Sequence, residues 1–135
     1  MSVHVRLRLG TEDYALPVEH VLEVFELGDL AAVPGAPPTA LGVTNLRGNV
    51  LPVFDLAALF RIDAERARAQ VVVAQDGSRR VGLAVDGVTG VGELSQPVEQ
   101  TESEFLCGAT LVDDGLVGIV DVRRLLDALE AGAAT

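Results

Sequence analysis

Tryptophan is absent from the chain and cysteine occurs once. A lone Cys107 rules out an intramolecular disulfide and fits a reducing compartment. No apolar run reaches transmembrane length. Met1 to Leu9 interleaves His4, Arg6 and Arg8 with apolar residues instead of forming the apolar centre of a signal peptide. A soluble cytoplasmic protein, not inserted in a membrane, is expected. Positive charge is scarce as well. Ten basic against twenty acidic side chains leave a net charge of -10, a field that repels polyanions and excludes a nucleic-acid groove.

The side chains that carry chemistry do not converge. His4 and His20 have no Cys or second His at ligand spacing, so no metal site is expected. Cys107 stands in no nucleophile motif and reads as a small buried hydrophobe. Gly35, Gly42 and Gly48 lack the strand-to-helix context and the Lys-Ser/Thr of a phosphate cradle. Asp113-Asp114 could ligate calcium, but a hairpin tip accounts for it. Asp55 and Asp121 each precede an apolar run and read as helix caps, not catalytic carboxylates. With no nucleophile, base and electrophile that could meet, neither an enzyme nor a cofactor is expected.

What the chain does contain is a Val/Leu-rich, glycine-punctuated pattern, 49% hydrophobic with 14 glycines, that suits a β core. Val3 to Leu9 alternates with period two, a half-buried strand with its cations outward. Val18, Val21, Leu22 and Phe25 have helical spacing, yet a shift of 67 residues decides for strand. That shift lays Tyr14–Leu27 on Val81–Leu94 with six identities, among them Val18/Val85, Val21/Val88 and Val24/Val91. It also sets Val5 on Val72, Gly10 on Gly77 and Gly48 on Gly115. The second copy carries Gly87, Gly90 and Gly92, each weakening a helix by roughly 1 kcal/mol relative to alanine. Both copies are therefore strands, bent near each Val-x-x-Val.

The repeat places a polar linker near Ile62–Ala69 and divides the chain into halves 1–66 and 67–135, whose terminal elements could cross over. Hairpins are expected about Asp76-Gly77 and Asp113-Asp114-Gly115, a surface loop over Ser95–Glu104, and a C-terminal helix after Asp121 ending near Gly132. About ten short strands in two sets of five give an all-β fold of two packed barrels, with a short helix between the halves.

The most specific stretch is Gly42–Leu56, GVTNLRGNVLPVFDL. Its two apolar runs flank Gly48-Asn49, read as a two-residue hairpin turn, with Arg47 on the last strand position before it. A lone cation there has two readings: a register pair with Glu23, or an interface residue. The Val-x-x-Val bends likewise belong to the core or line a groove between the barrels that could take an apolar helix tip.

GVTNLRGNVLPVFDL, VGLAVDGVTGV and the Gly-x-x-Ile-Val-Asp-Val end resemble the CheW family of bacterial chemotaxis coupling proteins, from about His4 to Leu129. The resemblance implies two SH3-like five-stranded barrels. It also implies an adaptor bridging chemoreceptor cytoplasmic tips to the regulatory domain of a CheA-type histidine kinase, recruited to receptor arrays at the inner face of the membrane. Glu23 and Arg47 match the family's paired acid and Asn-Leu-Arg-Gly arginine, and Val21 and Gly42 match positions of receptor contact. The partner-binding set so expected is Val18, Val21, Glu23, Gly42, Asn45, Arg47, Val85 and Val88. The alternatives are a coupling protein of a non-swimming chemosensory pathway and a barrel that binds a small ligand.

Overall fold

A computed structural model of the chain describes residues 2–62, 68–97, 103–113 and 115–130. Most of the Ile62–Ala69 linker, the middle of the Ser95–Glu104 loop, Asp114 and the helix end near Gly132 lie outside the described residues. The order is β1 Ser2–Leu9, β2 Glu12–Pro17, a 3₁₀ turn Val18–His20, β3 Val21–Glu26, β4 Ala40–Leu46, β5 Asn49–Asp55 and α1 Leu56–Leu59. The same plan follows again as β6 Gln70–Asp76, β7 Arg79–Val85, β8 Gly87–Leu94, β9 Leu106–Val112, β10 Gly115–Val120 and α2 Val122–Glu130.

The strands form two five-stranded sheets, β8-β1-β2-β10-β9 and β3-β6-β7-β5-β4, each a small SH3-like barrel. Under the 67-residue shift the first order turns into the second, and the registers follow: Val5 pairs Leu16 as Val72 pairs Leu83, and Val5 pairs Val91 as Val72 pairs Val24. Even the bulges repeat, falling at Leu22 in β3 and Thr89 in β8. Strand membership, however, departs from the division at 66/67. The first barrel takes β1–β2 from the first half and β8–β10 from the second, and the second barrel takes β6–β7 from the second half and β3–β5 from the first. The exchange therefore involves whole hairpins and is wider than a terminal element.

The β6–β7 hairpin is apolar on both faces, which places it at the centre. Val71 and Val73 point into the second barrel with Leu51, Val53 and Ala84, while Val72 and Ala74 point between the barrels. There they join Leu7, Leu9, Leu16, Leu83, Leu125 and Leu126 in the main core. A strand covered on both sides reads as a continuous apolar run, as β6 does. Each fully buried valine or leucine contributes roughly 1.5–3 kcal/mol. β1 alternates as expected, but the face opposite Leu7 and Leu9 is barrel interior, not solvent. His4 is buried and Arg6 half-buried, and only Arg8 reaches the surface, where it pairs with Asp13 at 3.2 Å.

Both helices begin on the expected caps. Asp55 accepts from the amides of Ala57 and Ala58 at 3.1 and 3.4 Å, and Asp121 accepts from that of Arg124 at 3.1 Å. Val122, Leu125 and Leu126 bury the apolar face of α2. On its outer side Arg79 ties the β6–β7 hairpin to α2, bonding Asp76 at 2.8 Å and Asp127 at 2.5 Å. The hydrogen bond from Arg79 holds the Asp76 carboxyl below its ordinary value. A depressed carboxylate adds stability above its ordinary value of about 4, and that stability is lost as pH falls through the lower folded value. Protection factors at the Leu125 and Leu126 amides, corrected for intrinsic exchange, should accordingly fall as the pH drops below about 4, and Asp76→Asn should flatten that dependence.

Candidate partner-binding surface

The β4–β5 turn is Arg47-Gly48, one residue earlier than the sequence suggests. Both residues have positive φ, 53° and 88°, the requirement of a type I′ hairpin turn. Arg47 is thus the first turn residue and not the last of the strand. Asn45 Oδ1 accepts the Gly48 amide at 2.9 Å, which favours the tighter placement and frees Asn49 to pair Leu46.

From that tip Arg47 Nε donates to Glu23 Oε2 at 3.0 Å. The pair links β3 and β4, the two outer strands of the second sheet. Arg47 is 77% exposed and Glu23 25% exposed, so this is a surface pair and not a buried one. An arginine in this state keeps most of its five donors turned outward while one fixes its direction. Beside Glu23 on the same stretch of chain, Val18, Leu22 and Val24 are exposed; Leu22 is the extra residue of the bulge.

Gly42 is buried beneath the segment that precedes β4. Its φ is +149°, and a Cβ there would meet Ala31 O at 2.6 Å. The Ala31–Val43 bridge holds that segment in place, so Gly42 acts on the surface by letting backbone pack on backbone, not by contact with a partner. Gly42→Ala should destabilise by roughly 2–3 kcal/mol through strain and the displaced carbonyl, read in urea denaturation, with the amides of Leu30 and Ala31 shifting most.

This hairpin and its ion pair sit in a fold whose sequence matches the family model for the CheW-like domain over residues 4–130. The chain belongs to the CheW-like domain family. It is 31% identical to the probable chemotaxis protein CheW of Rhizobium etli, covering 96% of this chain and 90% of that protein. It is 37% identical to protein FrzA of Myxococcus xanthus, covering 90% and 76%. The crystal structure of the scaffolding protein TtCheW from Thermoanaerobacter tengcongensis superposes with a TM-score of 0.79 at 27% identity, covering 89% and 88%.

The rest of the expected set divides. In this CheW-like chain Val18, Val21, Glu23, Asn45 and Arg47 stand along the 3₁₀ turn, β3 and the β4–β5 tip, with Val21 half-buried against the main core. Val85 is 0% exposed and belongs to the core, so it cannot touch a partner. Val88 is half-buried. The two bends stand apart along β6: Val21 pairs Ala74 and Val85 pairs Gln70, four residues and so about 13 Å away. Cys107 also departs from expectation. It lies at the surface on edge strand β9, where partial burial, then Asp121, raises its thiol pKa and leaves it a poor nucleophile at neutral pH.

Sequence reading missed a second cluster. Arg68 bonds Asp55 at 2.9 Å through Nε and Asp86 at 2.6 Å through Nη1, and Asp86 accepts the Gly10 amide at 2.8 Å. One guanidinium thereby fastens the α1 cap, the second bend and the β1–β2 turn. Burial works against the Arg68 charge, but Asp55 and then Asp86 outweigh it and raise its pKa. The available signal was the repeat, which sets Asp86 on Glu19 and so puts an acid at both bends.

Proposed function

We propose that this CheW-like chain is a non-catalytic adaptor of bacterial chemosensory signalling, coupling the cytoplasmic tip of a chemoreceptor to the regulatory domain of a CheA-type histidine kinase. The observation that carries the reading is the exposed Arg47 guanidinium, aimed by Glu23 from a rigid I′ turn beside exposed Val18, Leu22 and Val24. An arginine held in direction, with apolar neighbours, is the composition of an interface anchor. The chemotaxis proteins among its relatives and the structural neighbour that is a scaffolding protein support the same role. No helix among the described residues is long and apolar enough to cross a membrane. Attachment to receptor arrays on the cytoplasmic side then rests on protein contacts.

The test is calorimetry with two purified probes, a receptor cytoplasmic fragment and a kinase regulatory domain. The reading expects saturable binding to each and a ternary complex when all three are mixed. Binding to neither, or binding of one that displaces the other, overturns it.

A further inference from the structure

The two barrels share one strand plan but are closed differently. In the second barrel Phe25, Leu30 and Leu46 pack on the inward valines Val71 and Val73, and Glu23 reaches across to Arg47. In the first barrel the repeat puts Gly92 where Phe25 stands and Gly90 where Glu23 stands, and the β9–β10 turn opens on Asp113 where the β4–β5 turn opens on Arg47. Both Arg47 and Asp113 keep the left-handed tip conformation, with φ of 53° and 52°. Among the described residues no ion pair spans β8 and β9. A Cβ built on Gly90 or on Gly92 would meet no atom within 4 Å, so that side of the barrel is open.

Across the β1–β8 ladder these glycines face Arg6 and His4, which occupy the places of Val73 and Val71. Arg6 also lies opposite Ala15, a member of the first barrel's small core, so its side chain shares the inward face. The Nε of Arg6 is buried and has no hydrogen-bond partner. Arg6 differs in this from Arg8, Arg47, Arg68, Arg79 and Arg124, which all hold carboxylates. Acids outnumber bases twenty to ten, yet among the described residues none pairs with Arg6.

We propose that the open side of the first barrel, along β8, docks an extended segment of a partner protein that adds as a strand and delivers one carboxylate to Arg6. β8 ends its sheet, so its outer backbone groups are free of a ladder among the described residues, the situation that strand addition exploits. Alternation along an added strand sends one side chain inward over Gly90 and Gly92, where there is room for it and a donor to meet it. The flanking residues fall on the other face, where Val91 is 64% exposed and offers apolar contact. The strongly acidic chain around the site disfavours an acidic run, so the fitting segment carries a single Glu or Asp between β-branched residues. This site lies on the opposite barrel from the Arg47 tip and stands apart from the receptor reading.

The rival account is that the Arg6 stem merely fills volume left by the two glycines. Arg6→Met keeps that volume and removes the charge. The probe is the blocked peptide Thr-Val-Glu-Val-Thr, titrated into ¹⁵N-labelled protein while the Arg6 Nε–H and the Gly90 to Gly92 amides are followed. The proposal expects saturable shifts at these groups and affinity roughly tenfold or more weaker for the Gln-substituted peptide. It expects the same loss in Arg6→Met with an unchanged melting temperature. Gly90→Glu, which supplies an internal carboxylate where the second barrel has Glu23, should abolish peptide binding, and it carries the test alone if Arg6→Met does not fold. No shift at the Arg6 Nε–H with millimolar peptide, equal affinity for the Glu and Gln peptides, or undiminished binding by Gly90→Glu overturns it.

Discussion

Arg47→Ala is expected to leave the melting temperature nearly unchanged and to weaken receptor binding about thirtyfold or more. The two magnitudes come from different terms. The Arg47–Glu23 pair is exposed on the arginine side, and exposed pairs contribute about 0–1 kcal/mol. An arginine anchor at an interface contributes about 2 kcal/mol or more when truncated. Arg47→Gly sharpens the separation. Glycine accepts the φ of 53° without strain, so this variant should be at least as stable as the parent and equally unable to bind. The exchange Glu23→Arg with Arg47→Glu should recover the link between β3 and β4 without recovering binding, because on the proposed adaptor reading the partner reads the cation at the tip. Binding that survives Arg47→Ala and the exchange would remove the tip from the interface.

Arg68→Ala has the largest expected effect on stability, a loss of about 3–5 kcal/mol. Its side chain is 9% exposed and Asp86 11% exposed, so truncation strands a nearly buried carboxylate beside a second at Asp55. A domain of this size has about 5–15 kcal/mol in all, and the variant should lose a large share of it in urea denaturation. Arg68→Lys should fall between, since a point-like ammonium cannot bond Asp55 and Asp86 as a fork does. Asp86→Asn should cost less than Arg68→Ala, because its amide oxygen can still accept the Gly10 N–H. A change below about 1 kcal/mol for Arg68→Ala would show that solvent reaches the cluster freely.

The strands, both helix caps and the bends at Val18 and Asp86 were legible because each follows from local pattern: alternation, an acid before an apolar run, a repeated Val-x-x-Val. The exchange of hairpins was not. A repeat fixes that Val5 and Val72 play the same part, but pairing β1 with β8 buries the same residues as pairing it with β3 would. Only the chain path decides between them. Val18 and Val85 show the same limit within the proposed site. They are equivalent in sequence, yet Val18 stands 41% exposed on a 3₁₀ turn while Val85 ends a central strand at 0%. Arg68 was hidden for a simpler reason. Its two acids lie 13 and 18 residues away, with no motif to join them. Arg6 read as an outward cation because alternation tells which residues share a face, not whether the other face meets water or a barrel interior.

Coupling itself is best tested by autophosphorylation of the kinase in the presence of receptor fragments, with and without this chain. The adaptor account predicts that receptor stimulates the kinase only when the chain is present, and that Arg47→Ala protein, though folded, fails to restore stimulation. Receptor-dependent activity that is the same with and without the chain, or full stimulation by Arg47→Ala protein, would contradict it.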